Sequence, residues 1–143
     1  MTPELVNCII PVYNRSRFLQ ESIESVLSQT YRPIEIVIVD DGSTDDTPQL
    51  IRKLAEKAPG LIRSIRIENC GPGGAREAGL RISNGEFIQY LDSDDLLMPR
   101  KFEVQVEALR RNPGCGVAYG ITSLIDENGR ELQCPYKASG EKR

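Results

Sequence analysis

The stretch EIVIVDDGSTDDT, residues 35–47, decides the fold. Ile34 to Val39 is an almost unbroken run of β-branched apolar residues, which predicts a strand buried on both faces, as in a parallel sheet covered by helices. Two aspartates follow at once. A helix pattern comes next, with Leu50, Ile51, Leu54, Ala55 and Ala58 on one face and Pro59-Gly60 as its stop signal. Either Ser43 or Thr44 is the expected cap of that helix.

The same alternation continues in both directions. Upstream, Leu5 to Pro11 (LVNCIIP) reads as a first strand, and Phe18, Leu19, Ile23, Val26 and Leu27 recur at helical spacing behind Ser16 as N-cap. Downstream, Leu61 to Ile67 reads as a third strand interrupted by Arg63 and Arg66. Ala75, Ala78, Gly79 and Ile82 mark a short helix ended near Asn84-Gly85. Glu86 to Leu91 (EFIQYL) is the fourth strand. Pro99 introduces a helix carrying Phe102, Val106 and Leu109, closed by Asn112-Pro113-Gly114. Gly116 to Leu124 is expected as a further strand, and Glu127-Asn128-Gly129 as a hairpin turn into Glu131 to Gln133. The fold class is therefore α/β, an open and mainly parallel sheet with helices on both faces. Residues 1–133 form one core, and 134–143 form a tail with little to pack.

Composition agrees with one domain. A chain of 143 residues buries roughly 70% of its unfolded surface. A net charge of −3 without clustered Lys or Arg argues against a nucleic-acid platform. No apolar run approaches the ~20 residues of a membrane span. Cys8, Cys70, Cys115 and Cys134 are widely separated, with no C-x-x-C pair, which points to incidental thiols in a reducing, cytosolic setting. There is no His, so any metal must sit on oxygen or sulfur.

The aspartates carry the chemistry. Of eight, seven fall in two clusters, at 40–46 and 92–95. Open α/β sheets bind ligands outside the carboxyl ends of their strands, and both clusters follow strands directly, on the rim that also holds Pro11 to Asn14 and Gly71 to Gly74. Carboxylates crowded on one rim repel unless a cation sits among them. Oxygen donors alone favour Mg²⁺ or Mn²⁺, which bridges a carboxylate to a diphosphate. Blander readings stand beside this one. Asp45 and Asp46 suit a helix N-terminus, Asp92 to Asp95 suit a helix-initiating turn, and Gly71-Pro72-Gly73-Gly74 is a weak candidate for a phosphate nest.

Four segments in order, CIIPVYNRSRFLQESIESVLSQTY, EIVIVDDGSTDDT, NCGPGGAREAGL and GEFIQYLDSDD, resemble the family-2 glycosyltransferases of GT-A fold, from about Asn7 to Leu109. The resemblance implies a nucleotide-sugar site. Pro11, Tyr13 and Asn14 line the nucleotide pocket, with the Tyr13 ring beside the base; a core tyrosine is the alternative. Asp41 accepts from the imide N–H of a uracil-type base. Asn69, Gly71, Ala75 and Arg76 border the nucleotide and sugar, although Arg76 also suits a surface ion pair. In the D-x-D, Asp92 faces ribose and metal, Asp94 coordinates Mn²⁺ or Mg²⁺ on the diphosphate, and Asp95 orients or caps. Glu77 departs from the pattern, since Asn is common after that arginine, and puts one donor contact in doubt.

The implied reaction is inverting transfer from a nucleoside-diphosphate sugar, a UDP-sugar by the Asp41 reading, to an acceptor the sequence does not identify. It needs a general base beyond the D-x-D. Only Asp126, Glu127, Glu131 and Glu141 lie there, and none matches the family's base motif. The expectation is thus a C-terminally incomplete nucleotide-sugar-binding half, cytoplasmic or membrane-peripheral in its full-length setting. An exposed sheet edge would invite pairing between copies. A nucleotide-sugar-binding module without turnover is the main alternative. A phosphohydrolase using Asp92 fits poorly, because Leu96 stands where its motif wants Thr or Val.

Overall fold

The computed structural model describes residues 1–132. In chain order the elements are β1 (Thr2–Val12), α1 (Ser16–Leu27), β2 (Ile34–Asp40), α2 (Thr47–Lys57), β3 (Ile62–Arg66), α3 (Gly71–Ile82), β4 (Gly85–Tyr90), α4 (Lys101–Arg111), β5 (Leu124–Ile125) and β6 (Glu131–Leu132). The first four strands form one parallel sheet in the order β3-β2-β1-β4. The expected α/β class and parallel sheet are what the chain adopts.

Alternation along the two central strands explains the layers. Cys8, Ile10 and Val12 of β1, with Ile34, Ile36 and Ile38 of β2, pack under Leu19, Ile23 and Val26 of α1, Ile51 and Leu54 of α2, and Phe102 and Val106 of α4. On the opposite face Ile9, Val37 and Val39 meet Ala75 and Ala78 of α3. Each fully buried isoleucine contributes about 1.5–3 kcal/mol, so both helical layers are held by the same two strands. Gly79 sets the spacing of the α3 layer, because a Cβ there would stand 2.5 Å from Ile9 Cγ2 and 3.1 Å from Val39 Cγ2. The arginines of β3 are accommodated by carboxylates on its neighbour: Arg63 reaches Glu35 at 3.1 Å and Arg66 reaches Asp40 at 3.3 Å.

Several local expectations change. Ser16 is the first residue of α1 rather than its cap; Arg15 is the N-cap, with no side-chain cap bond. Neither Ser43 nor Thr44 caps α2, which begins at Thr47 behind Asp46. The Thr47 N–H instead donates to Asp45 Oδ1 at 3.0 Å, which accords with a helix-end role for Asp45. The helix expected from Ala75 begins earlier, so that Gly71-Pro72-Gly73-Gly74 is the first turn of α3, with Gly71 at φ +80° making the entry. Of the strand expected over Gly116–Leu124, only Leu124 is in a strand, as the first residue of β5, which pairs with β6 across the Asp126–Gly129 turn. The rest has no regular structure, and Val117, Tyr119 and Ile121 are fully or largely exposed. Gln133 and the expected tail lie outside the described residues.

Candidate nucleotide-binding site

The carboxyl ends of β1, β2 and β4 and the first half of α3 enclose a cleft of about 500 Å³. β1 and its exit supply Pro11, Tyr13 and Arg15; β2 supplies Asp41; α3 supplies Gly71, Ala75 and Arg76; the exit of β4 supplies Asp92 and Asp94. Six of the seven residues expected at the site therefore share one cleft. A second concavity of about 320 Å³, between the N-terminal ends of α1 and α2, contains none of them.

Asn14 is the exception, since it is not among the residues lining the cleft. It sits at φ +52°, in the left-handed region that asparagine tolerates better than most residues. Its Oδ1 accepts the Thr44 N–H at 2.8 Å and the Asp45 N–H at 3.3 Å, and its own N–H donates to Ser43 Oγ at 3.0 Å. Asn14 thus stitches the loop after β1 to the loop after β2.

Asp41 is buried, and its carboxylate receives the start of α3. Oδ1 accepts the Cys70 N–H at 2.8 Å and Oδ2 accepts the Gly71 N–H at 2.9 Å. Asn69 Nδ2 donates to the Asp41 carbonyl at 3.0 Å. The Cys70 thiol also donates to Oδ1, at 3.5 Å. These contacts place a negative charge at the positive end of the α3 dipole and leave further acceptor capacity on Oδ2, which receives a single N–H. Local desolvation and then the nearby Asp41 carboxylate push the exposed Cys70 thiol above its ordinary range.

The D-x-D turn carries both its carboxylates outward, and each meets an arginine from another element. Arg76 of α3 donates to Asp92 Oδ1 at 2.5 Å, and Arg15 Nε stands 3.9 Å from Asp94 Oδ2. Ser93 between them is buried. Asp95 closes the turn with its N–H on the Asp92 carbonyl at 3.0 Å. Its carboxyl is pushed upward by desolvation and then by the charges of Asp92 and Asp94. The turn is held to α1 by two serines: Ser22 Oγ donates to the Asp95 carbonyl at 2.7 Å, and Ser25 Oγ accepts the Leu97 N–H at 3.1 Å.

The donor set suits a hard divalent ion that keeps part of its water and shares a phosphate. Such ions need only one or two protein carboxylates, and Asp92 and Asp94 provide two, each about half exposed. Among the described residues no three His, Cys, Asp or Glu side chains form a self-sufficient metal cluster. Glu77 turns away from the cleft and pairs with Arg81 at 3.0 Å along α3. Arg15 is the residue that sequence reasoning missed; an arginine beside a helix start reads as a solvated charge until the topology sets it against Asp94.

A parallel sheet that gathers acidic and guanidinium groups in one cleft at its carboxyl ends is the architecture of a domain for phosphorylated ligands. Comparison with known proteins makes this specific: the glycosyl transferase family 2 model matches residues 7–137, and the chain belongs to that family. It is 42% identical over 127 residues to an uncharacterized glycosyltransferase of Nostoc sp., covering 89% of this chain and 39% of that protein. It is 35% identical over 132 residues to the chondroitin synthase of Escherichia coli, covering 92% of this chain and 19% of that protein. The chain therefore spans well under half the length of these two relatives.

Among solved structures, S. aureus TarS 1–349 in complex with UDP-GlcNAc superposes with a TM-score of 0.69 at 28% identity, covering 76% of this chain and 32% of that one. The mannosyltransferase PcManGT of Pyrobaculum calidifontis, in complex with GDP-Man and Mn²⁺, gives 0.63 at 33% identity over 66% of this chain and 29% of that one. The fold is the GT-A arrangement of these glycosyltransferases. No helix among the described residues is long and apolar enough to cross a membrane.

Proposed function

We propose that this chain binds the donor of an inverting glycosyltransferase, a UDP-sugar, for transfer to an acceptor hydroxyl. The observation that carries the reading is the gathering of Asp41, Arg76, Asp92 and Asp94 around one sheet-end cleft. The complexes of TarS with UDP-GlcNAc and of PcManGT with GDP-Man and Mn²⁺ support a nucleotide sugar as the ligand and a divalent ion as its companion.

Asp41 favours uracil because its carboxylate, fixed by two amides, still has room to accept the imide N–H of that base. Tyr13, about half exposed, offers a ring face to the base. Asp92 and Asp94 would hold Mn²⁺ or Mg²⁺, which when bound neutralises the charge of the departing diphosphate. Arg76 adds a fixed positive charge on the same side. The acceptor's proton needs a base. Asp126 is committed to its hairpin, accepting from Asn128 and Arg130, and Glu127 pairs with Arg17 at 3.8 Å. Glu131, in β6, does not line the cleft either, and Glu141 lies outside the described residues, so the base is not assigned. The second reading is a nucleotide-sugar-binding module without turnover; release of UDP in the presence of acceptor separates the two.

UDP with Mn²⁺ at about a hundredfold over Kd should stabilise the chain by about 2.7 kcal/mol, a rise in Tm of roughly 8–10 °C. Asp94→Ala should abolish that rise. A wild-type chain that shows neither a thermal shift nor calorimetric heat with UDP and Mn²⁺ would defeat the donor-site reading, and a preference for GDP would defeat the uracil assignment alone.

A further inference from the structure

Arg15 has no part in the function as described so far. Its backbone is firmly placed: its N–H donates to Thr47 Oγ1 at 3.2 Å, and Asn14 beside it is tied to Thr44 and Asp45. Its side chain is held loosely. Nη1 donates to the Asn14 carbonyl at 3.3 Å, and Nε is 3.9 Å from Asp94, close enough for attraction but too far for a hydrogen bond. Among the described residues, the other guanidinium N–H groups of Arg15 have no hydrogen-bond acceptor, although the side chain lines the cleft. Arg76, by contrast, is already in direct contact with Asp92. The cleft thus carries two guanidinium groups, one against each carboxylate of the D-x-D and each from a different element. A guanidinium fork matches a phosphate better than any other cationic side chain does. Two forks along one turn match a ligand with two phosphates.

We propose that Arg15 binds the terminal phosphate of the nucleoside diphosphate, with Asp94 holding its guanidinium at that end of the cleft. This rests on the donor-site reading above, in which Asp92 lies toward the ribose and Asp94 toward the diphosphate. Arg76, on Asp92, then serves the ribose-proximal phosphate. Arg15 then adds to the site's preference for a nucleoside diphosphate over a monophosphate.

Calorimetric titration with UDP and with UMP, both in Mn²⁺, tests the assignment on the wild-type chain and on Arg15→Ala, Arg15→Lys and Arg17→Ala. Arg15→Ala should weaken UDP about tenfold, the loss expected for one charge-assisted contact at a half-exposed position, and leave UMP within about twofold. Arg15→Lys should recover part of the UDP affinity, keeping the charge but losing the fork. Arg17 pairs with Glu127 and does not line the cleft, so Arg17→Ala should change neither ligand. Unchanged UDP binding in Arg15→Ala, or equal losses for UDP and UMP, overturns the assignment while leaving the donor site standing. A wild-type chain that does not bind UDP overturns both.

Discussion

The contact between Asp41 and the start of α3 yields the most exacting prediction. Asp41→Ala removes one buried carboxylate that accepts the N–H groups of Cys70 and Gly71 at 2.8 and 2.9 Å. Hydrogen bonds to a charged partner contribute about 1.5–3 kcal/mol each. Cys70 is exposed, so water can partly replace the lost acceptor there, and the lower end of that range applies. Two bonds give a loss of about 3 kcal/mol, or roughly 10 °C in Tm for a domain of this size. Asp41→Asn separates charge and acceptor from mere volume. The amide keeps one acceptor and turns a donor toward the second N–H, so about 2 kcal/mol should be lost with little change in side-chain size. Urea denaturation followed by far-UV circular dichroism, without nucleotide, measures both, with the denaturant slope unchanged. Because the carboxylate is buried, 1 M salt should alter the difference little, although the Debye length falls to about 3 Å. An Asp41→Asn chain melting within about 2 °C of wild type would refute the idea that this carboxylate anchors α3.

Two further outcomes test the packing and the core. Gly79→Ala gains about 1 kcal/mol of helix propensity but forces a methyl to 2.5 Å from Ile9, so the variant should be less stable by about 1–2 kcal/mol; Gly73→Ala, whose Cβ meets nothing within 4 Å, should not be. Burial pushes the Cys8 thiol up to about 12 from 9.0. Above pH 9 the unfolded chain therefore sheds this proton before the folded one does, and stability falls as pH rises, by about 1.4 kcal/mol per unit. Cys8→Ala should flatten the decline in Tm between about pH 8 and about pH 10, and parallel curves for the two chains would contradict this.

What the sequence made legible was whatever depends on local periodicity and strand ends. Ile34 to Val39 reads as a strand covered on both faces, and Asp41, Asp92 and Asp94, lying just past strands, fell on the same rim by topology alone. Properties that depend on distant partners were not legible. The run from Gly116 to Leu124 has the composition of a strand, but strand propensity describes fit to a half-buried pleated surface, and among the described residues no strand pairs with Gly116 to Ser123. Asn14 reads as a pocket residue from its motif, whereas its amide is spent on a loop some thirty positions away. The Gly71 to Gly74 stretch reads from its glycines as a weak candidate for a phosphate nest, and Asp41, twenty-nine and thirty positions upstream of the two amides it receives, helps to make it a helix start. Arg15 gained meaning only from Asp94.

The loops fastened to α1 have a consequence for how the site can vary. Asn14, just before that helix, clasps the segment after β2, and Ser22 and Ser25 within it grip the segment after β4. One helix and its leading loop therefore act as a jig between the wall that carries Asp41 and the turn that carries Asp92 and Asp94. Deleting a single residue between Asn14 and Ser22 would swing both serines about 100° around the helix. The two halves of the cleft would then lose their common reference, although none of the cleft's aspartates had been altered. The geometry of this cleft thus depends on the phase of the helix behind it as well as on the residues that face the ligand.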